Sequence, residues 1–207
     1  MRHSRKRKNR RYLLTTIGIF FILIGSSVLI YRTIQNKQLE KIENESIEIF
    51  LKDEIQEEPN QEEQQEETKQ EEPKINYVAV LEIPKINLKK GLVDKNSIDN
   101  NVDRNIYTLK ESIFPNEKEY SQIILASHSG NSYVSHFRRL NELKLNDRVY
   151  LYYNNNKYTY KITKKYEIEK NGTANIGVYK ESNINLITCI DGTNKQLVIA
   201  GIIMEDE

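Results

Sequence analysis

The chain holds one cysteine in 207 residues and a formal charge of only +1. A lone cysteine, Cys189, excludes a disulfide within the chain and a zinc site built on thiolates. The small net charge conceals a basic block at the N-terminus and an acidic block further along, and neither extends into the rest of the sequence. No broad basic surface results, so nucleic acid is not an expected partner. The acidic residues are concentrated in one run and are not spaced as a cation cage, so no metal and no cofactor is expected. Once the biased segments are set aside, about 130 residues remain, the size of one ordinary domain.

Residues 1–11 form a tail dominated by Arg and Lys, and residues 12–31 carry no charge at all. About twenty uncharged apolar residues are enough to cross a bilayer as a helix, and a basic flank stays in the cytoplasm. The stretch is longer than the apolar part of a cleaved signal peptide. It also ends in Val28-Leu29-Ile30-Tyr31-Arg32, which is no small-x-small cleavage site. The expectation is therefore an uncleaved single-pass anchor at 12–31, with everything after Arg32 outside the cell. Residues 32–74 read as a polar, acidic spacer. Asn36 to Ile55 can extend as a polar helix, and Glu57 to Glu72 is nearly all Glu and Gln, broken by Pro59 and closed by Pro73. Such a run buries too little apolar surface to offset its ordering entropy.

The folded domain is expected at 75–207. Val78 to Ile83 and Ile86 to Leu88 read as short strands around Pro84, and Ile123 to Ala126 as a buried strand. Arg148 to Tyr153, the turn residues Asn154-Asn155-Asn156, and the alternation from Tyr158 to Thr163 make a hairpin pattern. Ile184 to Thr188 and Leu197 to Ile203 supply two more strands around Asp191-Gly192-Thr193-Asn194. Helical patterning is brief, at Ser97 to Asn105 and Tyr133 to Leu143. Many short strands at regular spacing indicate an all-β closed barrel or sandwich with short helices.

Cys189 stands where a strand ends and a polar loop begins, which leaves a side chain accessible on a rigid support. A thiol is mostly protonated at neutral pH, so a nucleophilic role needs a base or a positive charge nearby. Of three histidines, His3 lies in the basic tail and His136 in a short helical pattern. His128 follows the strand Ile123 to Ala126 and precedes Ser129-Gly130, so it too stands at a strand end. The plain alternatives are a small buried cysteine and an incidental histidine. One thiol and one similarly placed imidazole make the pair a candidate nucleophile and acid/base.

At these residues the chain resembles the sortases of Gram-positive bacteria. Leu186-Ile187-Thr188-Cys189 is similar to the family's Leu-x-Thr-Cys signature, and Leu125-Ala126-Ser127-His128-Ser129-Gly130 to its Ala-Gly-His-Ser/Asn segment. Phe137, Leu140, Leu143, Asn146 and Asp147 fit the Phe-x-x-Leu-x-x-Leu-x-x-Gly-Asp stretch, with Asn146 in the glycine slot, and Leu81 to Ile86 resembles the opening strands. The resemblance implies a closed eight-stranded sortase-type β-barrel, preceded by one transmembrane helix. It leaves the subtype open between class B-like and class D-like.

The resemblance also implies a cysteine transpeptidase. Cys189 attacks a sorting-signal Thr carbonyl of a secreted protein and forms an acyl-thioester, while His128 protonates the departing amine. The acceptor is an amine of a peptidoglycan precursor or a pilin lysine. Sortases usually carry an Arg before the apolar run that follows the Cys loop. Here Lys195-Gln196-Leu197 puts Gln196 in that slot, as a neutral donor to an oxyanion, with Arg138 or Arg139 as alternative cations. Two other readings stay open: a signal-anchored extracellular binding or scaffold module on a degenerate sortase fold, and a cysteine hydrolase that only cleaves.

Overall fold

The computed structural model describes residues 3–53, 75–172 and 180–204, with side chains from Thr15 onward. The Glu- and Gln-rich run expected at 57–72 lies outside the described residues. The chain forms two compact units, Met1–Ile42 and Glu43–Glu207.

The first unit is most of a helix, α1, His3–Asp53. Phe20, Phe21, Ile22 and Leu23 are consecutive, so they point around the helix, and each is more than 60% exposed. Apolar side chains bared on every side suit lipid and not water. Among the described residues, this is the one helix long and apolar enough to cross a membrane.

The second unit is a nearly closed barrel of eight strands: β1 Ala79–Ile83, β2 Leu88–Leu92, β3 Tyr107–Thr108, β4 Gln122–Ala126, β5 Arg148–Tyr153, β6 Asn156–Glu169, β7 Asn183–Cys189 and β8 Lys195–Ile203. They form one sheet in the order β2-β1-β5-β6-β8-β7-β4-β3. Every strand pairing is antiparallel except β4 with β7. Of the barrel and sandwich that the strand spacing leaves open, this is the barrel, with the N-terminal helix that the resemblance implies.

Local chemistry explains where the elements differ from expectation. Residues 86–88 are not one strand. Pro84–Ile86 forms a 3-10 turn, and Asn87 ends it at φ 52°. Asn tolerates the left-handed region, so the chain reverses there and Leu88 pairs back with Ile83. The hairpin between β5 and β6 turns on Asn154 and Asn155, both at positive φ, as a two-residue turn of this type requires. Asn156 already belongs to β6. Asn146 sits at φ 74°, which explains why a family pattern with glycine there accepts asparagine.

The two short helical patterns do not become α-helices. Across 94–105, side chains of Asp94, Ser97 and Asn101 accept hydrogen bonds from nearby backbone N–H groups and stabilise turns instead. In the other segment only Leu140–Glu142 is helical, as a 3-10 turn. Phe137, Leu140 and Leu143 recur every third residue, which puts them on one side of such a turn, and all three are fully buried.

These three join Leu81, Leu125, Leu151, Tyr160, Leu186 and Ile199 in the barrel interior. Each such side chain contributes about 1.5–3 kcal/mol by leaving water. A smaller cluster lies outside the barrel wall. Ile47, with Phe50 and Leu51, packs on Tyr77, Val80, Val93 and Tyr152. The last turns of α1, which the sequence assigns to the polar spacer, are therefore part of the barrel's compact unit. Glu43 pairs with Lys90 there, and both side chains are mostly shielded. The Tyr77 ring lies against Gly91, where a Cβ would come within 2.3 Å of it.

Candidate active site

The parallel pairing of β4 with β7 positions the two candidate groups. Leu125 is opposite Leu186 and Ala126 opposite Ile187, an offset of 61 residues. The same offset carried two residues further places His128 beside Cys189. The pairing does continue past the strand: Ser127 N–H donates to the Ile187 carbonyl at 3.2 Å, and the Thr188 hydroxyl donates to the Ser127 carbonyl at 2.8 Å. Residues opposite each other in neighbouring strands share a face of the sheet. On the other side of β7, Cys189 is directly opposite Gln196 of β8. Cys189 and Gln196 thus face outward as partners on β7 and β8, and the register continued past the end of β4 puts His128 in the same row.

Alternation separates this row from the interior. Leu186 and Leu125 point into the barrel, whereas Ile187 packs with Ile124 and Val198 in a separate outer cluster. Cys189 is free and partly exposed. The loops that carry the two groups are tied together, because the Ser129 hydroxyl donates to Asp191 Oδ1 at 2.7 Å. The His128 backbone is held from the other direction by Phe137, whose N–H donates to the His128 carbonyl at 3.2 Å. Phe137 is itself fully buried, so the core fixes the base of the loop between them.

By this register the thiol-bearing and imidazole-bearing residues follow neighbouring strand ends, with the Gln196 amide on the residue across from Cys189. This arrangement can perform nucleophilic attack, proton transfer and donation of a neutral hydrogen bond to a developing oxyanion. Lys195 alternates to the other face and bonds Glu167 at 3.0 Å, consistent with its being no rival for Gln196. Arg139 is committed elsewhere: it forms a two-pronged pair with Glu142 and donates to the Ile86 carbonyl. Arg138 is exposed.

His136 belongs to the packing. Burial, then the positive charge of Lys90, then His128, push its pKa down to about 4, so it is neutral at pH 7. One contact escaped the sequence reading: His128 Nε2 lies 3.1 Å from Asp103 Oδ1. Asp103 sits in an Asn-rich turn segment 25 residues before His128, and no local motif marks it.

A barrel with a cysteine and a histidine at adjacent parallel strand ends is the architecture of a known family. The sortase domain family model matches residues 81–202, and the chain belongs to that family. Sortase D of Bacillus subtilis (strain 168) is 30% identical over 112 residues, covering 54% of this chain and 53% of that protein. Sortase A of Bacillus anthracis is 28% identical over 126 residues, covering 60% and 58%. The chain thus spans between half and three-fifths of the length of these curated relatives. Among solved structures, sortase C1 of Streptococcus agalactiae superposes with a TM-score of 0.57 at 23% identity, covering 65% of this chain and 70% of that one. The Corynebacterium diphtheriae sortase A lid mutant gives 0.57 at 17% identity, covering 64% and 72%. These structural likenesses establish the fold.

Proposed function

We propose that this chain is a membrane-anchored transpeptidase of the sortase type, with Cys189 as nucleophile and His128 as acid/base. The observation that supports it is the row His128, Cys189, Gln196, which the strand register brings to one face at one end of three adjacent strands. Cys189 passes its thiol proton to His128 as Sγ adds to the carbonyl of a Thr in the C-terminal sorting signal of a secreted protein. The C–N bond then breaks, His128 gives its proton to the departing amine, and an acyl-thioester remains on Cys189. An acceptor amine, from a peptidoglycan precursor or a pilin lysine, attacks the thioester and yields its proton to His128 as the thiolate leaves. Gln196 donates to the oxyanion, with less stabilisation than a guanidinium gives.

In this reading residues 12–31 anchor the chain, 75–207 hold the catalytic domain outside the cell, and the intervening residues hold that domain off the membrane. Retention at the same surface as its substrates raises their effective concentration. Protease added to intact protoplasts should digest the residues after Arg32; protection until lysis would reverse the orientation.

The catalytic test uses intact mass spectrometry with a pool of synthetic peptides, each carrying one internal Thr. A peptide adduct is expected on the parent protein and absent from Cys189→Ala and His128→Ala. Added amines should convert the adduct to an amide, whereas conversion by water alone indicates a hydrolase. An adduct on Cys189→Ala would end the assignment. No adduct from any peptide would favour the scaffold reading, for which Gln196 in place of the usual arginine is the motive.

A further inference from the structure

We propose that Asp103 is the positioning residue for His128. Its carboxylate accepts the Nε2–H and so leaves Nδ1 as the nitrogen that exchanges a proton with Cys189. The proposal rests on the acid/base role given to His128 above.

The contact is short, 3.1 Å between Nε2 and Oδ1, and both groups are within reach of solvent, His128 at 41% and Asp103 at 86% side-chain exposure. A carboxylate only accepts, so the pairing selects the tautomer in which Nε2 carries the proton. An imidazole whose far nitrogen is held in this way cannot rotate freely, and its other nitrogen keeps one direction.

The segment that carries Asp103 is braced in a manner unlike an unconstrained loop. Asn100 is buried, and its amide donates to the carbonyls of Lys95 and Thr108 while its Oδ1 accepts from Thr108 N–H. Thr108 belongs to β3, which pairs with β4, the strand that ends just before His128. Asn101 adds more: its side-chain amide donates to the Ile98 carbonyl, its Oδ1 accepts from Asp103 N–H, its backbone N–H donates to the Asp99 carbonyl, and its own carbonyl accepts from Arg104 and Asn105 N–H. Arg104 pairs with Asp99, so the neighbouring cation does not compete for Asp103. The result is a backbone position for Asp103 held at the same edge of the barrel as the histidine, from which its exposed carboxylate reaches the ring.

Exposure limits the effect. A solvent-accessible hydrogen bond of this kind is expected to change the acylation rate by roughly three- to tenfold. It is not expected to contribute measurably to stability.

The test uses the full-length chain in detergent micelles, labelled with 15N in histidine, with His3→Gln and His136→Gln variants assigning the ring resonances. In the neutral ring, His128 should show a protonated Nε2 and an unprotonated Nδ1. Asp103→Ala should move it to a mixture of tautomers, and Asp103→Asn, which keeps an acceptor oxygen, should restore most of the parental pattern. In the internal-Thr peptide pool, adduct formation should fall three- to tenfold for Asp103→Ala and recover for Asp103→Asn, with unfolding midpoints unchanged. Unchanged tautomers, a parental rate for Asp103→Ala, or a faster rate as if a cover had been removed would each overturn the proposal. If His128→Ala is inactive in the same assay while Asp103→Ala is not impaired, only the role of Asp103 falls. If His128→Ala retains activity, the acid/base reading falls first.

Discussion

On the inner face of β4, β7 and β8, Leu125, Leu186 and Ile199 are buried in the barrel core. One residue along each strand, on the outer face, stand Ala126, Ile187 and Val198, and beyond them at the strand ends His128, Cys189 and Gln196. The same three strands thus hold the fold together with one face and present reactive groups with the other. A two-residue period separates the tasks, so a change on one face should leave the other's property nearly intact. Removing a reactive group from a partly exposed strand end costs little packing, whereas emptying an inner position leaves a cavity.

The sharpest way to break this comparison is a pair of substitutions in neighbouring parts of β7. Cys189→Ala should abolish adduct formation and move the unfolding free energy by no more than about 0.5 kcal/mol, as for most surface changes. Leu186→Ala, three residues earlier, should cost about 2–5 kcal/mol of stability. Below its new unfolding midpoint it should still acylate. Urea titration and intact mass on the same samples measure both. Loss of stability in Cys189→Ala comparable to that in Leu186→Ala would show that the thiol is part of the packing after all.

Gln196 tests how far the outer row acts as a unit. If its amide donates to the oxyanion, Gln196→Ala should slow acylation by about two to three orders of magnitude. Gln196→Arg should match or exceed the parent, since a guanidinium adds charge to the same donor position. Single-turnover adduct formation is the measurement. A parental rate for Gln196→Ala would remove it from the site and turn attention to Arg138, since Arg139 is held by Glu142 and the Ile86 carbonyl.

Much of this division was legible in the sequence. The apolar runs Ile123 to Ala126 and Ile184 to Thr188, with His128 and Cys189 just past or at their ends, already place two polar functional groups at strand termini. The parallel register that brings them side by side was not legible, because it depends on β7 reaching β4 across 61 residues. Nor was Asp103, which meets His128 through the turns built by Asn100 and Asn101 and carries no pattern of its own. The three-residue period of Phe137, Leu140 and Leu143 reads as helix because periods of three and 3.6 diverge little over seven residues. The end of α1 was misleading for another reason. Glu43, Ser46 and Ile47 look like polar-helix composition, yet their burial depends on Tyr77, Val80 and Lys90, which follow a long polar run.

That helix end qualifies the rule that outer faces are free for chemistry. On β1, Val80 points outward but is fully buried, because Ile47 and Phe50 pack over the cluster to which it belongs. Glu43→Ala leaves Lys90 largely shielded without its carboxylate, and should cost about 1–3 kcal/mol, less than a wholly buried pair would. Tyr133, on the loop after His128, meets the same ion pair, with Lys90 5.7 Å from its ring centroid and its hydroxyl 3.5 Å from Glu43. Chains beginning at about residue 40 should therefore unfold at higher urea than chains beginning near Lys74. Equal midpoints would mean that the helix end adds nothing to the barrel.

The smallest expected effect distinguishes the two histidines near the site by which property they serve. His136 is held near a pKa of about 4, chiefly by burial and then by the Lys90 charge, whereas an unfolded-chain histidine titrates near 6.5. Between these values the unfolded chain binds more protons than the folded one, so stability rises with pH across the window. The contribution is complete above about pH 6.5 and is lost progressively as pH falls toward 4. Full linkage at pH 5 amounts to about 2 kcal/mol, and about 1 kcal/mol is expected because the ring is only partly enclosed. Urea titrations at pH 7 and pH 5 should show this extra loss in the parent and not in His136→Gln, since carboxylates common to both cancel in the difference. Adduct formation at pH 7 should stay within about twofold of the parent, whereas His128→Gln should form none. A His136→Gln protein that keeps the full pH slope would mean that His136 is solvated in the folded state. One that loses acylation would place a second imidazole in the outer-face chemistry, and the separation of tasks between packing and site would not hold at this loop.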